Sequence, residues 1–139
     1  MYLIDTNVIS EIRKGDKANP GVRRFFDAAI QNNQKLYISV VTIGELRRGV
    51  DLIFHRDDIA QGKLLETWLN SILEHYQENI LGIDCEIALI WGKMRVPNPQ
   101  HPIDKLIAAT ALIYDLTVVT RNTEDFQNTG IALVNPFSK

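Results

Sequence analysis

Short apolar runs alternate along this chain with stretches in which apolar residues return every three or four positions. The runs Tyr2–Ile4, Leu36–Val41, Ile80–Ile83, Thr117–Thr120 and Ala132–Val134 are brief and apolar. That character predicts strands buried on both faces of a parallel sheet. Between them, Leu65, Trp68, Leu69, Ile72, Leu73 and Tyr76 fall on one helical stripe. Ile43, Leu46, Val50 and Ile53 form a second stripe, and Ile87, Ile90, Trp91 and Met94 a third. The segment from Leu106 to Ile113 is apolar nearly all round, which predicts a deeply buried helix. Pro97, Pro99 and Pro102 punctuate the loop before it. Strands alternating with helices predict an α/β fold, with a central, mostly parallel, five-stranded sheet flanked by helices. In such sheets ligands bind beyond the carboxyl ends of the strands.

Composition narrows the partners. The 139 residues suit one domain, residues 1–139, and 45% of them are hydrophobic, as in an ordinary globular protein. A formal net charge of −2 excludes a strongly basic coat, so any nucleic-acid contact must come from a local patch. Cys85 is the sole cysteine, so neither an internal disulfide nor a Cys-based zinc site can form within one chain. No leader pattern opens the chain, and no apolar run approaches the ~18 residues of a membrane span. A cytoplasmic protein with no membrane partner is the expectation.

Four acidic residues stand where the strand pattern ends or a helix begins. Asp5 follows the first strand directly. Glu45 lies a few residues past the second, in the first turn of its helix as the pattern predicts it. Asp104 opens the buried helix in His101-Pro102-Ile103-Asp104, and Asp125 lies just past the fourth strand. Each alone has an ordinary explanation. An acid in a helix's first turn complements the macrodipole by ~0.3–1 kcal/mol, and Asp5 is well placed to cap a helix beginning near Asn7. Together they carry more weight, because parallel strands end on one edge and the acids would converge there. Unpaired, they would repel and raise one another's pKa values. A hard divalent cation such as Mg²⁺ or Mn²⁺ relieves that repulsion.

The same segments resemble a known family. Asp5-Thr6-Asn7-Val8-Ile9-Ser10-Glu11, Thr42-Ile43-Gly44-Glu45-Leu46-Arg47-Arg48-Gly49, Ile103-Asp104-Lys105-Leu106-Ile107-Ala108-Ala109-Thr110-Ala111 and Val118-Val119-Thr120-Arg121-Asn122 are similar to the motifs of PIN domains. Within that family they most resemble VapC-type toxins of the FitB-like branch, as does the closing Asn135-Pro136-Phe137. The resemblance covers essentially the whole chain. It implies a Mg²⁺- or Mn²⁺-dependent ribonuclease with its metal on Asp5, Glu45 and Asp104. It also implies a VapB-like antitoxin partner, a homodimer, and contact with DNA only through that antitoxin. At the fourth acidic position the FitB-like pattern has Asp, and this chain has Asn122. Asp125 then supplies the fourth carboxylate, reaching the ion mainly through water while Asn122 caps and orients the loop.

Other residues have plainer alternatives. Asn7 and Thr120 would steady the carboxylates by hydrogen bonds, and both are also common turn and cap residues. Arg48 and Arg121 lie nearest the acids among the basic residues, so they are the candidate phosphate contacts; solvated surface charges are the alternative. His55, His75 and His101 show no metal-binding spacing. The Trp68 stripe fits a core, or a face for a dimer or partner helix. Two rival functions remain at this point. One is a Mg²⁺-dependent phosphoacceptor switch using Asp84 after the third strand, although Glu45 and Asp104 would then have no role. The other is a catalytically inactive PIN-type module that binds RNA or protein.

Overall fold

The computed structural model describes residues 1–139. The five strands are β1 (Tyr2–Ile4), β2 (Leu36–Ser39), β3 (Ile80–Leu81), β4 (Thr117–Val119) and β5 (Leu133–Val134). The helices are α1 (Thr6–Ile12), α2 (Pro20–Gln31), α3 (Val40–His55), α4 (Ile59–His75), α5 (Cys85–Met94) and α6 (Pro102–Tyr114). Every strand pairing is parallel, and the order across the sheet is β3-β2-β1-β4-β5.

Side-chain alternation splits the core in two. Ile4 and Val119 point to one face and pack with Val8, Val22, Phe26, Leu46, Val50 and Leu69 from α1 to α4. Leu3 and Val118 point to the other face and meet Ile107, Ala108 and Ala111 of α6, with Phe126. The Trp68 stripe serves the first core: Leu69 and Tyr76 are buried, and Leu65, Trp68, Ile72 and Leu73 pack against that cluster. Helix α6 is buried through Ile107–Ala111, but Leu112 and Tyr114 are exposed, so it is less enclosed than its composition predicts. No helix is long and apolar enough to cross a membrane.

The strands are shorter than the apolar runs. The second ends at Ser39 rather than Val41, because the Ser39 hydroxyl accepts from the Val41 N–H at 3.1 Å and starts α3 there. Val40 and Val41 read as strand by their β-branched side chains, yet they are the first two helical residues. Glu45 therefore sits in the second turn of α3, not the first. Similarly, β3 stops at Leu81 and β4 at Val119.

The path of the chain fixes where ligands can enter. From β1 it steps outward through β2 to β3, then crosses to the other side of β1 as β4 and β5. The direction of winding reverses between β1 and β4, and a crevice opens at such a switch point beyond the strands' carboxyl ends. Asp5 and Thr120 are the first residues past those two strands.

Candidate active site

Asp5 is buried and works twice. One oxygen, Oδ1, accepts the N–H of Thr6 at 2.8 Å and caps α1. The other, Oδ2, accepts the Thr120 hydroxyl at 2.8 Å and the Asn7 amide at 3.3 Å. The capping role expected of Asp5 is thus filled by one oxygen, while Thr120 and Asn7 hold the other. Burial pushes its pKa above 3.8; the hydrogen bonds from Thr120 and Thr6 oppose that, and the charge of Glu45 adds to it.

Glu45 reaches the same place from α3. Its Oε1 accepts the Thr6 hydroxyl at 2.7 Å, and that hydroxyl lies 3.3 Å from the Thr42 hydroxyl. Asp104 enters from the first turn of α6, whose N-terminus lies over the carboxyl edge because α6 runs back against the strands. Its pKa is pushed up to about 7, first by burial, then by the charges of Asp5 and Asp125 and a hydrogen bond with Asp125, with His101 pulling the other way. Asp125 lies in the first turn of a short 3₁₀ segment, Thr123–Phe126. The four acids named from the sequence therefore form a continuous series, Glu45 to Asp5 to Asp104 to Asp125, in which each neighbouring pair repels.

The supporting polar residues are tied into this series. Asn7 Oδ1 accepts the Arg121 backbone N–H at 3.1 Å, and Asn7 Nδ2 lies 3.4 Å from Thr120 Oγ1. Thr120 Oγ1 also accepts the Asn122 N–H at 3.0 Å. Asn122 departs from expectation: its side chain makes no capping hydrogen bond, and only its backbone carbonyl meets the Asp125 N–H, at 3.0 Å. A 3₁₀ turn draws residues three apart together through the main chain, so the amide is not needed as a cap. Arg121 lies with its guanidinium 4.9 Å from the Phe137 ring centre. Arg48 is exposed on α3 and no contact ties it to the acids.

His101, read from the sequence as a histidine without metal-binding spacing, lies beside these acids. Its Nε2 lies 3.6 Å from Asp125 Oδ1. One donor atom each from His101, Asp104 and Asp125 fall within 4.8 Å of one another. The available signal was its place three residues before Asp104 at the start of a helix. Asp84, the acid of the phosphoacceptor reading, is engaged elsewhere: its Oδ1 caps α5 by accepting the Ile87 N–H at 2.9 Å, after the edge strand β3.

The donor chemistry fits a hard divalent ion. Carboxylate oxygens converge with no lysine or arginine ion-paired to them, and Asp104 is driven toward protonation by its acidic neighbours as well as by burial. Such an excess of negative charge is what a bound dication offsets.

The PIN-domain family model matches residues 2–132. This chain belongs to the PIN-domain family. Among the relatives of this PIN domain is Toxin FitB of Neisseria gonorrhoeae, 35% identical and covering 99% of both chains. VapC ribonuclease Y4jK of Sinorhizobium fredii is 29% identical over 99% of this chain and 98% of its own. The solved structure of FitAB bound to an IR36 DNA fragment superimposes with a TM-score of 0.83 at 32% identity, covering 100% of this chain and 97% of that one.

Proposed function

We propose that this PIN domain, residues 1–139 acting as one unit, is a metal-dependent endoribonuclease and the toxin of a VapBC-type toxin–antitoxin pair. The observation that carries the reading is the mutual repulsion of Asp5, Asp104 and Asp125 at the β1/β4 switch point. Relatives named as a toxin and as a ribonuclease support it.

Asp5, Glu45, Asp104 and Asp125 would hold Mg²⁺ or Mn²⁺. The ion would supply Lewis-acid polarisation of a phosphoryl oxygen and a more acidic water. The protein's own residues do the rest. Thr120, Thr6 and Asn7 fix the Asp5 carboxylate so that it cannot swing away from an incoming cation. Glu45 keeps one oxygen on Thr6 and leaves the other to orient the attacking water and take its proton. Arg121, and more remotely Arg48, would hold the RNA backbone. In-line attack then leaves a 5′-phosphate and a 3′-hydroxyl.

The protein partner is a small VapB-like antitoxin that blocks the crevice, with an arginine directed at the carboxylates. DNA is met only through that antitoxin, and the toxin itself works as a homodimer. The deciding experiment incubates purified protein with mixed RNA and Mn²⁺, with and without excess EDTA. Metal-dependent cleavage supports the proposal. Cleavage that survives EDTA overturns the mechanism, and no cleavage alongside tight RNA or antitoxin binding favours an inactive module.

A further inference from the structure

We propose that His101 is a direct ligand of the divalent ion, its imidazole nitrogen joining the carboxylates of Asp104 and Asp125, and that it tilts the site toward Mn²⁺ over Mg²⁺. The inference rests on the metal-dependent reading above and assigns a residue outside the four acids.

The distances come first. Around an octahedral ion with bonds of ~2.1 Å, neighbouring donors lie ~3 Å apart and opposite donors ~4.2 Å. His101 Nε2 and Asp125 Oδ1 are 3.6 Å apart, and the donor atoms of His101, Asp104 and Asp125 lie within 4.8 Å of one another. These separations are close to those spans, so Asp125 ligates the ion directly here rather than through water as the sequence reading has it.

The segment bearing His101 is held firmly. Its carbonyl accepts the Lys105 N–H at 3.0 Å, beginning α6. The Trp91 indole donates to the Pro102 carbonyl at 2.8 Å, and the Lys105 ammonium donates to the Asn98 carbonyl. Gln100 N–H donates to Asn98 Oδ1 at 2.9 Å. A ligand on an anchored segment loses little conformational freedom when it binds.

Neutral imidazole is the form that ligates metals. Imidazole nitrogen suits transition metals, whereas Mg²⁺ prefers oxygen, so the mixed donor set separates the two ions.

The test uses the full-length protein loaded with Mn²⁺ and pulsed electron paramagnetic resonance of ¹⁴N couplings. Wild type should show the coupling of a directly bound imidazole, and His101→Gln should lose it. By calorimetry, the same variant should weaken Mn²⁺ binding by about tenfold or more while changing Mg²⁺ binding by less than about threefold. Mn²⁺ binding with no nitrogen coupling in wild type, or an unchanged Mn²⁺/Mg²⁺ ratio in the variant, overturns the role of His101 and leaves the ribonuclease reading intact. Failure of the wild type to bind Mn²⁺ at all overturns both. Because the wild-type spectrum is decisive alone, the proposal stays testable even if the variant folds poorly.

Discussion

The Thr120 hydroxyl donates to Asp5 Oδ2 at 2.8 Å and so ties the carboxyl ends of β4 and β1 together at the acidic crevice. Both residues are buried, so the bond forms away from bulk water and orients a carboxylate that burial would otherwise drive to protonate. Thr120→Val keeps the shape and removes the donor. We expect metal affinity to fall by roughly tenfold, since losing a group that orients a ligand typically costs ~10–100-fold. Calorimetric titration with Mn²⁺ checks this, and unchanged affinity would leave Thr120 a structural residue.

Asp5→Asn and Asp104→Asn should each abolish RNA cleavage and leave the metal-free protein folded and more stable. Removing one charge from a repelling set relieves strain when no cation offsets it. Activity and thermal unfolding, measured together without metal, test both halves. Collapse of the fold in Asp5→Asn would mean that its cap on α1 outweighs the relief.

Asp104 makes the metal-free protein's stability depend on pH. Its pKa is raised from 3.8 to about 7 in the folded state. Between those values the folded chain holds a proton that the unfolded chain has released, so stability falls as pH rises through this window and levels above it. Below the unfolded pKa both states are protonated, and the stabilisation is complete. Unfolding midpoints of metal-free protein should therefore decline from about pH 4 to about pH 7, less steeply in Asp104→Asn. Metal binding must displace the same proton, so affinity should rise over the same interval.

Asp125 lies at the far end of the acidic series, beside Asp104. Asp125→Asn should weaken cleavage at low metal and recover in part at high metal, whereas Asp104→Asn should not recover. A metal titration of cleavage rate for the two variants separates these outcomes. If Asp125→Asn leaves the metal dependence unchanged, Asp125 only stabilises its 3₁₀ turn.

Gly21 has no room for a methyl group. A Cβ there would lie 2.3 Å from the Pro136 carbonyl oxygen and 2.6 Å from the Ser138 nitrogen. The C-terminal segment is clamped at this point: Asn19 Nδ2 donates to the Ser138 carbonyl and Asn19 Oδ1 accepts the Ser138 N–H, both at 2.9 Å. Gly21→Ala should destabilise the protein by ~1–3 kcal/mol, the usual range for overpacking. It should also free the C-terminal residues for carboxypeptidase, while Gly44→Ala, with open space at its Cβ, should not.

The sequence by itself determined the alternation of strands and helices, the parallel sheet, and the positions of Asp5, Asp104 and Asp125 at element boundaries. These are local properties: apolar periodicity and turn chemistry act over a few residues and are written in order along the chain. The placement of Glu45 was less legible, because Val40 and Val41 favour a strand locally and the Ser39 cap turned them into helix. Strand order, and with it the switch point between β1 and β4, came only from tertiary packing, since no local signal records which strand pairs with which. The same holds for His101. Its proximity to Asp125 needs α6 and the 3₁₀ turn after β4 to pack at the same end of the sheet, a long-range result of burying Ile107, Ala108 and Phe126 in one core.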